Sequence, residues 1–114
     1  YDEKLTPLGV ESLPHYTDPH SSSGHLYISR VPGITAEQRN EIIIKMGEHG
    51  IACNVHYKPL PLHTAYKNLG FDIANYPNAY AHFANEISLP LHTCLADEDV
   101  EYVIENFVEV VKGL

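Results

Sequence analysis

A chain of 114 residues fits one domain, hides about two thirds of the surface its unfolded form exposes, and is too short for two cores. With 44% apolar and 19% charged residues it reads as a soluble globular protein, and no apolar stretch approaches the ~18 residues of a membrane span. The 15 acidic residues outnumber the 7 basic ones, and the net charge of -8 argues against nucleic acid as a partner, because the field repels a phosphate backbone.

In residues 1–24, Val10-Glu11-Ser12-Leu13 can form a strand that Pro14 closes, and Thr17 to Gly24 is a polar loop by composition. His25 to Val31 is rich in strand formers and stops at Pro32-Gly33. Thr35 and Gln38 have the spacing of a capping box, so a helix is expected from about Ala36 to His49. Ile42, Ile43 and Met46 would form its apolar stripe, with Ile44 widening it and Gly50 as the left-handed stop. Ile51 to Tyr57 then reads as a short buried strand, with Ile51, Cys53, Val55 and Tyr57 on one face and Ala52, Asn54, His56 and Lys58 on the other. Pro59 cannot donate to a ladder, so pairing should stop at an exposed His56-Tyr57-Lys58 triplet.

Beyond Pro61, the residues Leu62, Tyr66 and Leu69 recur at helical spacing until Gly70, and Phe71 to Tyr76 is loop. Pro77 suits the first position of a helix in which Tyr80, Phe83, Ala84 and Ile87 share a face. Ile87, Leu89 and Leu91 alternate as a short strand that Pro90 confines to an edge or an end. In the final helix Val100, Val103, Ile104, Phe107 and Val111 repeat at helical spacing, acids from Glu98 to Glu109 take the other side, and Gly113 is the stop. Short strands separated by helices predict an α+β fold, a small and mainly antiparallel sheet of three or four strands with helices on one face.

The residues by themselves contain no catalytic constellation. Eight histidines invite a metal, yet no His-Glu-x-x-His or Cys-x-x-Cys occurs, and Cys53 and His56 would point to opposite faces of their strand. The same geometry removes that pair as nucleophile and base, and no phosphate-cradling glycine loop or Gly-x-Ser-x-Gly elbow is present. Cys53 and Cys94 are expected to be reduced and mostly buried. On this basis alone the triplet is the end of a strand, with Tyr57 completing the core face. The opening residues lack a basic region followed by an apolar run, and a start at Tyr1 suits an excised piece of a cytosolic protein.

A longer pattern changes the weight of the triplet. Val55-His56-Tyr57-Lys58-Pro59-Leu60-Pro61-Leu62-His63-Thr64-Ala65-Tyr66-Lys67 is followed in order by Tyr76-Pro77-Asn78-Ala79, Glu86-Ile87-Ser88-Leu89-Pro90-Leu91-His92, and Leu95 with Asp97 to Ile104. Together they resemble the C-terminal region of the pyridoxal-phosphate-dependent sugar aminotransferases, the family named after its DegT, DnrJ, EryC and StrS members. The resemblance implies that residues 25–114 are the small C-terminal domain of a larger fold-type I enzyme and that residues 1–24 are the exit from a missing large domain. It implies a cytoplasmic, homodimeric parent that moves an amino group, with glutamate as donor, onto a nucleotide-linked keto-deoxysugar.

By the same analogy His56 is a hydrogen-bonding or stacking partner of the nucleotide-sugar, Tyr57 a second contact, and His63 a further one on the adjoining helix. His92 stays a loop residue. Of Lys4, Lys45, Lys58, Lys67 and Lys112, none lies in surroundings resembling the family's Schiff-base site, so pyridoxal phosphate is expected in the parent and not on this fragment, which would be inactive alone. Two other readings remain open at this point: a stand-alone acidic binding module without catalysis, and a non-catalytic regulator of the same family that binds the cofactor.

Overall fold

The register between two short strands decides which side chains face the core. In the computed structural model, which describes all residues from Tyr1 to Leu114, strand β2 (Tyr27–Arg30) is central in a three-stranded antiparallel sheet between β1 (Glu11–Ser12) and β3 (Glu86–Leu89). Tyr27 lies opposite Leu89 and Ser29 opposite Ile87, so these four buried residues share one face. Ile28, Arg30, Glu86 and Ser88 form the other. On the first face helices α2 (Ala36–Glu48) and α5 (Asp97–Lys112) supply Ile42, Met46, Val103, Ile104, Phe107 and Val110 to a 13-residue apolar core. This is the α+β arrangement that the pattern of short strands and helices predicts.

Local chemistry fixes the ends of both long helices. Thr35 Oγ1 accepts from the Gln38 N–H while Gln38 Oε1 accepts from the Thr35 N–H, the reciprocal capping box, and Gly50 leaves α2 at φ 74. At α5 the Asp99 carboxylate accepts from the Ala96 N–H at 2.9 Å, and Asp97, Glu98 and Asp99 place negative charge at the positive helix end.

Several expectations give way to long-range contacts. Ile51 to Tyr57 is no strand: only Asn54 pairs, exchanging two backbone hydrogen bonds with Ser88. The N–H groups of Val55 and His56 donate instead to the side chains of Asn54 and Glu86, which take donors a ladder would need. Tyr57 therefore does not finish the core face and is 72% exposed. Ile44 does not widen the α2 stripe either, being 64% exposed, because it lies two residues and about 200° round the helix from Ile42. Arg39, three residues before Ile42, takes the place in the stripe and is 2% exposed.

The helix expected around Leu62 to Leu69 is a 3-10 turn (Leu60–Leu62) followed by α3 (Thr64–Asn68), and Leu69 stays in solvent. Within the expected loop Phe71 to Tyr76, another 3-10 turn spans Ile73–Asn75. Helix α4 (Pro77–Asn85) opens on Pro77 as expected but ends before Ile87, which belongs to β3, and Leu91 lies outside that strand, exposed. At the start, α1 (Asp2–Leu5) has no periodicity to announce it, and Leu5 and Val10 enter the core. Tyr27 Oη donates to Asp2 Oδ1 and Tyr1 Oη donates to the Pro90 carbonyl, which ties this segment to the sheet.

The two thiols differ. Cys53 is half-buried and its burial pushes the thiol up to about 11, so it stays protonated at neutral pH, whereas Cys94 is exposed rather than buried. With an aromatic disulfide reagent at neutral pH, one thiol is expected to react promptly in the native chain and the second only after denaturation. Two fast thiols would show that the segment around Cys53 opens readily.

Candidate functional site

Helix α4 runs into β3 without a linker, so Asn85 ends one element and Glu86 begins the next. Two arginines hold this junction. Arg30 Nε donates to Asn85 Oδ1 at 3.0 Å while its Nη1 pairs with Glu11. Arg39 Nη1 donates to the carbonyls of Phe83 at 2.8 Å and Glu86 at 3.3 Å, and its guanidinium lies 4.6 Å from the Phe83 ring centroid. Burial lowers the pKa of Arg39, while the charge of Glu86 opposes that shift.

Held there, Glu86 is a buried carboxylate with both oxygens in use. Its Oε2 accepts from the His56 N–H at 2.9 Å and its Oε1 from the Ser88 hydroxyl at 2.6 Å. Ser88 Oγ in turn lies 2.9 Å from His56 Nδ1. The His56 ring meets the Tyr57 ring edge-on, with centroids 4.7 Å apart and planes at 89°. Both rings line a cavity of about 320 Å³ on the outer sheet face, with Ile28, Arg30 and Glu86 from the strands and Ala79, His82 and Phe83 from α4. Its walls are mostly apolar with a few convergent polar groups, the make-up of a small-molecule site.

Of the residues singled out from the sequence, His56 and Tyr57 share this cavity. His63 does not line it: it is exposed at the start of α3, with Nε2 3.4 Å from the Lys58 carbonyl. His92 sits in a turn where Nδ1 accepts from the Cys94 N–H, as a loop residue would. Arg30, His82, Glu86 and Ser88 were not singled out. The signal for the last two was present in Glu86-Ile87-Ser88-Leu89, whose polar members alternate with apolar ones and therefore share a face.

The residues present do not fit the pyridoxal phosphate that the resemblance implies. Lys4, Lys58, Lys67 and Lys112 are exposed, and the half-buried Lys45 pairs with Glu41 at 2.7 Å. Lys112 borders an apolar cavity of about 290 Å³ between α5 and the start of the chain, and no carboxylate lines it. No three His, Cys, Asp or Glu side chains converge to hold a metal ion, and no helix is long and apolar enough to cross a membrane.

The sequence profile of the DegT/DnrJ/EryC1/StrS aminotransferase family matches residues 1–108. The spore coat polysaccharide biosynthesis protein SpsC of Bacillus subtilis is 35% identical over 106 residues, which cover 88% of this chain and 26% of that protein. A pleiotropic regulatory protein of Geobacillus stearothermophilus is 32% identical over 93 residues, 80% of this chain and 25% of its own length. A solved structure named "Putative sugar aminotransferase Spr1654 from Streptococcus pneumoniae, PLP-form" is 56% identical, superposes with a TM-score of 0.95, and is matched over 98% of this chain and 29% of that one. The chain thus spans about a quarter of the length of the curated relatives it matches. It belongs to the DegT/DnrJ/EryC1/StrS aminotransferase family.

Proposed function

We propose that this chain is the small C-terminal part of a pyridoxal-phosphate-dependent aminotransferase that transfers an amino group from glutamate to the keto group of a nucleotide-linked deoxysugar in the cytoplasm. The observation that carries the reading is the likeness, over nearly the whole chain, to the Streptococcus structure named as a sugar aminotransferase in its PLP-form. SpsC, named for spore coat polysaccharide biosynthesis, supports a sugar as the substrate. Residues 1–24 are then the exit from the large domain, and the cofactor and its lysine belong to that domain, so this chain alone is expected to be inactive.

In the parent, His56 and Tyr57 would face the nucleotide-sugar across the interdomain cleft, with His63 as an outer contact on α3. Closing this wall over the substrate excludes water and completes recognition. The stretch from Tyr57 to Ala84 contains no buried residue, yet Tyr57, Leu60, Leu69, Phe71, Tyr76 and Tyr80 are exposed in it. So much apolar surface is what a larger body covers, and we assign it to the large domain and to the partner subunit of a homodimer.

In the full-length enzyme His56→Ala is expected to raise the KM for the sugar nucleotide about tenfold with the absorbance of the bound cofactor unchanged, the loss of one hydrogen bond to substrate. His63→Ala should raise it less, because its ring lies outside the cavity. An unchanged KM in His56→Ala would return the triplet to a structural role.

The Geobacillus relative, named as a regulatory protein, favours a second reading, a regulator that binds the cofactor without amino transfer. Addition of glutamate to the full-length protein separates the two: a change in the cofactor's absorbance supports the enzyme, and a constant spectrum supports the regulator.

A further inference from the structure

We infer that Glu86 and Ser88 are positioning residues that hold His56 in its Nδ1–H tautomer, so that Nε2 meets the cavity as a hydrogen-bond acceptor and takes a hydroxyl of the ligand rather than an anionic oxygen. Assignment of that hydroxyl to a sugar rests on the aminotransferase reading; the tautomer does not.

Counting protons along the three side chains gives the result. A carboxylate only accepts, and Glu86 is committed at both oxygens, to the His56 N–H and to the Ser88 hydroxyl. Serine has one proton, and at 2.6 Å it is directed to Glu86 Oε1. Ser88 Oγ therefore has only lone pairs to offer His56 Nδ1, which at 2.9 Å must be the donor. A neutral imidazole carries one ring proton, so Nε2 is left bare.

The arrangement is stiff. Glu86 and Ser88 are both buried, lie two apart on one face of β3, and are backed by the Asn54–Ser88 pairing, so neither can rotate away without breaking a buried hydrogen bond. A bare Nε2 attracts a hydroxyl or N–H and repels phosphate and carboxylate oxygens, which offer only lone pairs. Arg30, the cation in the cavity wall, is already engaged by Glu11 and Asn85. The cavity is thereby set for the hydroxyl-bearing ring of a ligand and against its charged groups.

The test is nitrogen-15 NMR of the histidine side chains in the 114-residue chain, reading two-bond couplings that report which ring nitrogen of His56 bears the proton. The expected wild-type pattern has the proton on Nδ1. In Glu86→Gln the amide oxygen keeps the His56 N–H and the amide nitrogen donates to Ser88, whose own proton then turns to Nδ1. The imidazole proton should move to Nε2. Ser88→Ala releases the ring and should give the same Nε2–H form.

A wild-type proton on Nε2 overturns the inference whether or not either variant folds, and so does an unchanged pattern in a folded Glu86→Gln chain. In the full-length enzyme Glu86→Gln should raise the sugar-nucleotide KM about tenfold while kcat changes by less than about twofold. A swapped tautomer with an unchanged KM overturns the hydroxyl assignment. Failure of the aminotransferase reading is a separate result, because it would appear as absent amino transfer in the wild-type parent with the His56 tautomer as inferred.

Discussion

Phe107→Ala is expected to lower the free energy of unfolding by about 4 kcal/mol, measured by urea titration of the α5 helical signal. Phe107 is fully buried on the stripe that α5 turns to the sheet, and it also forms the floor of the apolar cleft bordered by Val10, Val31 and Val111. Truncation removes the transfer energy of a ring and deepens that cleft, which Leu8, Gly9 and Val10 at the start of the chain could collapse to fill. A domain of this size has a total stability of roughly 5–15 kcal/mol, so one truncation takes a large share and should lower the midpoint of thermal unfolding by on the order of 15 °C. Phe107→Leu keeps most of the volume and should cost about 1–1.5 kcal/mol. A loss below about 2 kcal/mol in the alanine variant would show that the start of the chain moves in to refill the space.

What the sequence disclosed followed from how local each signal is. The Thr35–Gln38 capping box, Pro77 at the start of α4 and the apolar period of α5 are complete within a few residues, and all three stand in the structure. The segment Ile51 to Tyr57 has the period of a strand, and its burial alternates as far as Val55, but a strand also needs partners. Its N–H groups are taken by Asn54 and by Glu86, and Glu86 lies 30 residues further on. Arg39 carries no local signal of burial, because a cation at an apolar helical position reads as solvated until Phe83 and Glu86, more than 40 residues away, supply acceptors.

The site divides along the same line. His56 and Tyr57 stand out through a long motif, whereas Glu86 and Ser88, which fix the ring, lie in a four-residue alternation whose apolar half alone announces a strand. Residues that act on a ligand through another side chain leave little trace in spacing, since their partner is set by the register of a sheet and not by the chain.

Arg39→Ala is expected to cost about 3 kcal/mol and, unlike Phe107→Ala, to reach the site. Removing the guanidinium strands the carbonyls of Phe83 and Glu86 at the C-terminal end of α4, where no other side chain donates to them, and withdraws a cation from the negative end of the helix. Those carbonyls hold the turn that aims the Glu86 side chain at His56, so relaxation of the turn should loosen the His56 tether. Arg39→Lys keeps the charge but has one ammonium in place of a fork and should lose about half as much. If the turn is the link, both variants should raise the sugar-nucleotide KM of the full-length enzyme in proportion to their loss of stability, with kcat nearly unchanged. A stability loss with an unaltered KM would instead mean that the Asn54–Ser88 pairing alone keeps Glu86 in place, and that Arg39 serves the core and nothing beyond it.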